Sequence, residues 1–116
     1  MKPIELKTVD GRVVCERCFV ADNAWTRMRG LLGRNGLETG EGLLLRPASS
    51  IHMLFMRFAI DVVFVARDGA VVKIASNVRP WRIAGARGAK LALELPAGEA
   101  ERRGIGVGDR LDLSQV

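Results

Sequence analysis

The chain has 116 residues, 48% of them hydrophobic and 27% charged, with 18 Lys and Arg against 13 Asp and Glu. That suits one globular domain, residues 1–116, whose apolar core needs no disulfide or metal staple, and the even spread of apolar residues excludes disorder. No run reaches the roughly 18 apolar residues of a membrane span, and residues 1–7 lack the apolar stretch of a secretory signal, so a soluble, cytoplasmic protein is expected.

Residues 4–9 and 12–20 are β-prone runs joined by Asp10-Gly11, the composition of a hairpin turn. The second run contains Cys15-Glu16-Arg17-Cys18. On a regular strand, residues three apart point to opposite faces, so these thiols are not expected to meet. A zinc site lacks ligands too, since there is one distant His and no second Cys pair, and no metal is expected. Asp22 suits a helix N-cap, followed by Trp25, Met28, Leu31 and Leu32 at helical spacing and Gly33 as the stop. Residues 42–46, 51–58 and 60–67 read as strands, and Asp68-Gly69 as a tight turn into a strand over 70–76. A strand over 90–95 stops at Pro96, a short helix covers 98–103 with Gly104 as its terminator, and a last strand runs over 110–113. The predicted class is α+β, mainly antiparallel β. About seven short strands and two short helices form a curled sheet or partly closed barrel, which protects the edges.

The excess positive charge is local. Residues 69–93 contain no acid but hold Lys73, Arg79, Arg82, Arg87 and Lys90, while the rest of the chain balances 13 basic against 13 acidic residues. Such a stretch attracts phosphate, anionic ligands or nucleic acid, and its plainer reading is a solvated surface. Residues 51–61 place His52, Arg57 and Asp61 in apolar surroundings. If 51–58 is extended, His52 and Arg57 point to opposite faces. An unpaired buried charge is costly, so the plainer reading makes Arg57 a structural ion pair with Asp61 or Glu94, and His52 a satisfied, partly buried histidine. On the functional reading, His52 and Arg57 donate to a ligand while Asp61 and Glu94 orient them. Trp81 and Arg82 form a rim, a flat apolar face beside cationic groups.

Several pieces of the sequence together resemble one family. They are Gly30-Leu31-Leu32-Gly33-Arg34, Ile51-His52 through Met56-Arg57-Phe58, Ile60-Asp61-Val62-Val63-Phe64, Pro80-Trp81-Arg82 and Leu93-Glu94-Leu95-Pro96-Ala97-Gly98. The resemblance is to the uncharacterised bacterial and archaeal family called domain of unknown function 192, and it spans nearly the whole chain. Leu32 stands where Met is usual, Gly33 where a larger residue is common, and Ala59 where Pro is common; none of these removes a charged candidate. The resemblance implies a compact β-rich domain and brings no activity or cofactor with it.

Three functions fit, in order of preference. The first is a non-catalytic binding module for a small anionic ligand or a protein partner. The second is nucleic-acid (RNA) binding through Lys73, Arg79, Arg82, Arg87 and Lys90, which has the charge but, with six aromatic residues and no Tyr, a poor stacking platform. The third is a hydrolase or isomerase with His52 as general base. One base without a defined partner, and no Ser nucleophile signature, weigh against catalysis. No cofactor is expected.

Overall fold

The computed structural model describes residues 2–22, 36–53 and 56–116. Among these residues the elements are β1 (Ile4–Lys7), β2 (Val13–Ala21), β3 (Glu41–Leu45), β4 (Ser50–His52), β5 (Ile60–Val65), β6 (Val71–Val78), β7 (Ile83–Gly85), β8 (Leu91–Pro96) and a short helix, α1 (Glu99–Arg102). Six strands form one sheet in the order β1-β2-β3-β8-β5-β6, and β4 pairs with β7 in a second sheet. β2 and β3 run parallel, and the other pairings are antiparallel. No described helix is long and apolar enough to cross a membrane.

Register sorts the central side chains into two cores, because alternate residues of a strand face opposite sides. Val63 pairs with Leu93 and Val65 with Leu91, and these join Leu6, Val14, Leu44, Ile105 and Leu111 on one face. Phe64 pairs with Ala92 and Ala92 with Leu45; this face is covered by Ile51, Met53 and Met56. With both faces covered, β5 and β8 are apolar almost throughout rather than alternating. Asp61 and Glu94 are the exceptions, each fully enclosed.

β1 and β6 are the edges of the large sheet, and one segment ties them together. On the β1 side, Val9 N–H donates to Arg110 O at 2.9 Å and Asp112 N–H to Lys7 O at 2.8 Å. On the β6 side, Val71 N–H donates to Asp109 O and Leu111 N–H to Gly69 O, both at 2.8 Å. The sheet therefore curls until residues 109–112 satisfy backbone groups on both edges, which removes two sites for unwanted strand addition.

The Asp10-Gly11 hairpin, β3, β5, β6, β8 and the short helix lie where the sequence predicts them, give or take a residue or two at their ends. The strand predicted over 51–58 instead stops at His52. Beyond it, Met56 N–H donates to Met53 O at 3.2 Å, and Met53 and Met56 are both buried. The predicted final strand is the edge tie, which makes two isolated bridges, Thr8–Leu111 and Ala70–Arg110. β7 was not predicted, which brings the strands to eight rather than about seven. One of the two predicted helices is present among the described residues; the other, over 23–33 after the Asp22 cap, falls outside them.

β2 also departs from regular alternation. Leu6 pairs with Cys15 but Ile4 with Cys18, so β2 holds an extra residue between these pairs, a β-bulge. Glu16 and Arg17 both turn outward, where Arg103 lies 2.5 Å from Glu16 and Glu41 lies 2.7 Å from Arg17. Cys15 and Cys18 both turn into the first core. The expectation of thiols on opposite faces is overturned, because strict alternation ends at a bulge.

The edge tie passes hard against Gly69, whose φ is +94° and where a Cβ would lie 2.4 Å from Leu111 O. Gly69→Ala is expected to cost about 3 kcal/mol, from the left-handed backbone and the clash together. A denaturant-unfolding midpoint measures this, and a change below about 1 kcal/mol would show that the tie carries little of the stability.

Candidate functional site

Asp61 is the best-determined polar side chain near the candidate residues. It lies on β5 opposite an irregularity in β6, where Ile60 pairs with Val78 but Val62 pairs with Ala75. The extra β6 residue leaves backbone groups without a ladder partner. Asn77 sits there at φ 52° and its N–H donates to Asp61 Oδ1 at 2.8 Å. The other carboxylate oxygen accepts from Gly98 N–H and Ala100 N–H, each at 3.0 Å. Those N–H groups belong to the start of α1, which has no side-chain cap of its own, so Asp61 caps it from another strand.

Beyond the Asn77 bend, the chain leads through Pro80 to Trp81, Arg82 and β7. β7 pairs with β4 so that Ile51 opposes Ala84 and His52 opposes Ile83. Ile51 and Ala84 pack into the second core, which leaves His52 and Ile83 on the outer face. His52 is half-buried and Ile83 is 75% exposed. Two further bonds continue the pairing: Met53 N–H donates to Arg82 O and Trp81 N–H donates to Met53 O, both at 2.8 Å. This brings the backbone of residues 52–53 beside that of residues 81–83. Trp81 has φ 70° and is 60% exposed.

The other candidates lie apart from that group. Asp61 shares its face with Leu95, Val63 and Leu93, whereas Glu94 opposes Val62 and Leu43 on the face that β4 and β7 cover. The large sheet therefore separates the two carboxylates. Arg57 is exposed in the turn between β4 and β5. It makes no ion pair among the described residues, so the expected pair with Asp61 or Glu94 does not form, because Asp61 is committed to backbone donors. Lys73 Nζ donates to Gly85 O at 2.7 Å and ties β6 to β7. Arg79, Arg82, Arg87 and Lys90 are exposed, and none is ion-paired among the described residues. A separate surface cavity of about 480 Å³ is lined by Arg46, Arg67 and Lys90 above Pro47, Leu91 and Leu113. Sequence reading missed Arg46 and Arg67 because they come from segments with no local sign of meeting.

A curled β-rich domain with a small two-stranded sheet laid on one face is thus the frame that holds the candidate residues. The DUF192 family model, described as Uncharacterized ACR, matches residues 6–113, and the chain belongs to this family. It is 34% identical to a UPF0127 protein of Pyrococcus furiosus, covering 96% of this chain and 98% of the relative. It is also 34% identical to one from Thermococcus sibiricus, over 88% of this chain and 69% of the relative. A solved structure from Sinorhizobium meliloti 1021, of a protein described as a candidate transcription regulator, superposes with a TM-score of 0.80 at 28% identity, over 96% and 92% of the two chains. Another, of a protein of unknown function from Novosphingobium aromaticivorans, gives a TM-score of 0.78 at 28% identity, over 95% and 83%.

Asp61→Ala removes the acceptor for three backbone donors and is expected to destabilise the fold by at least about 3 kcal/mol. Calorimetry or urea unfolding measures the loss. A loss under about 1 kcal/mol would mean that water replaces the carboxylate at no cost.

Proposed function

We propose that the chain is a non-catalytic binding module for a small, planar anionic ligand, held at His52, Trp81 and Arg82. The observation that carries this reading is the state of Trp81. A bulky residue with positive φ costs about 1–3 kcal/mol, and such strain collects at ligand sites. Trp81 is also 60% exposed, so its indole is open to a stacking partner. The indole offers a stacking face to a ligand, and Arg82 offers a planar fork of donors. His52 and the exposed Arg57 add donors on the same stretch of sequence. Asp61 and Glu94 act at a distance, by fixing the strands rather than by touching the ligand.

A second reading, nucleic-acid binding through Lys73, Arg79, Arg82, Arg87 and Lys90, has support of its own. No residue from 69 to 93 enters an ion pair among the described residues, and the Sinorhizobium relative is described as a candidate transcription regulator.

Titration with AMP and with inorganic phosphate, followed by NMR, separates the two. Binding of AMP is expected to shift the Trp81 indole, the His52 ring and the Arg82 side chain with one common Kd. Arg82→Gln is expected to weaken it about tenfold, the value of one charge-assisted hydrogen bond. No shift at Trp81 would overturn the reading. Shifts limited to Arg79, Arg87 and Lys90 with RNA, lost steeply as salt rises, would establish the second in its place.

A further inference from the structure

Cys15 and Cys18 are the only cysteines in the sequence, and the site above uses neither. Both are free and buried, 1% and 0% exposed. The β2 bulge directs them into one core, and Gly42, the register partner of Cys18, lies against the Cys15 sulfur. The Cys15 thiol donates to Gly40 O at 3.3 Å. Space for this sulfur depends on Gly42, where a Cβ would lie 2.7 Å from Cys15 Sγ. The bulge itself is pinned by an ion pair on each outward-turned residue, Glu16 with Arg103 and Arg17 with Glu41. The bulge thus places in one core two thiols that strict alternation would part.

We propose that Cys15 and Cys18 form an oxidisable dithiol, which hydrogen peroxide converts to an intrachain disulfide. The Cys15 thiolate attacks one peroxide oxygen, forming an S–O bond as the O–O bond breaks; hydroxide leaves and takes a proton from solvent. The Cys18 sulfur then attacks the Cys15 sulfur, the S–S bond forms as the S–O bond breaks, and the sulfenic oxygen departs with its own hydrogen and the Cys18 proton as water. In sum, two thiols lose two hydrogens and one peroxide becomes two waters.

The surroundings divide the roles. The bond from Cys18 holds the Cys15 thiol below its ordinary range, aided by the Arg17 backbone N–H and the charge on Arg103. The same contact, with burial, pushes Cys18 far up. With Arg103 held by Glu16 beside it, Cys15 is the attacking sulfur and Cys18 the resolving one. β1 covers this core through Leu6, which is in register with Cys15. It is a four-residue edge strand with two register breaks, so its local opening admits peroxide.

The test treats the full chain with hydrogen peroxide and reads its intact mass. The expected product is a monomer lighter by two hydrogens, inert to iodoacetamide after unfolding and restored by dithiothreitol. Cys18→Ser is expected to stop at a Cys15 sulfenic acid that dimedone traps, and Cys15→Ser to stay reduced under the same exposure. Two alkylatable thiols in the treated wild-type chain would overturn the proposal, as would disulfide-linked dimers in place of the intrachain product or oxidation that begins at Cys18. If either variant fails to fold, the wild-type mass and alkylation still decide.

Discussion

A carboxylate taken out of water has to recover its hydration from fixed donors, or its burial costs several kcal/mol. Asp61, 1% exposed, does so through the backbone N–H groups of Asn77, Gly98 and Ala100. These three donors belong to three separate jobs. Asn77 marks the irregularity where β6 ends, Gly98 follows β8, and Ala100 opens α1. One side chain on the strand beside that edge therefore fixes where an edge strand stops, how the neighbouring strand exits, and where the helix begins.

The candidate ligand site depends on that constraint. The chain that leaves β6 at Asn77 becomes the Trp81-Arg82 segment within a few residues, and its backbone is caught by both the N–H and the carbonyl of Met53. Ile51 and Met53 anchor the small sheet in the second core. His52, between them, is left on the outer face beside Ile83. Positioning thus runs from a buried anion through a backbone bend to an exposed aromatic residue. The opposite end of the sheet obeys the same economy, since residues 109–112 satisfy two edges at once.

What the sequence conveys and what it withholds follow from range. Asp10-Gly11 and Asp68-Gly69 announce turns because their backbone demands are local. β5 and β8 are evident as apolar runs, and Gly104 as a helix stop, for the same reason. The role of Asp61 was hidden because its donors lie 16, 37 and 39 residues away. β7 is three residues long and ends in Gly, too short for a period to show. Met53 and Met56 misled because burial makes a residue outside a strand as apolar as one within it. Strict alternation also failed at Cys15 and Cys18, although two adjacent charged residues between them are a sign that a strand has bulged. Of the candidate residues, backbone pairing brings the segments that carry His52 and Trp81-Arg82 side by side, while Asp61 and Glu94 are divided by the sheet they share.

Amide hydrogen exchange at Asn77, Gly98 and Ala100, compared between the wild-type chain and Asp61→Asn, tests the central claim most directly. If one carboxylate holds all three segments, these amides are slow in the wild-type protein. The substitution then speeds exchange at all three together, along with the Trp81 amide that follows the bend. Fast exchange in the wild-type protein, or loss of protection at one amide while the other two stay slow, would contradict the role assigned to Asp61.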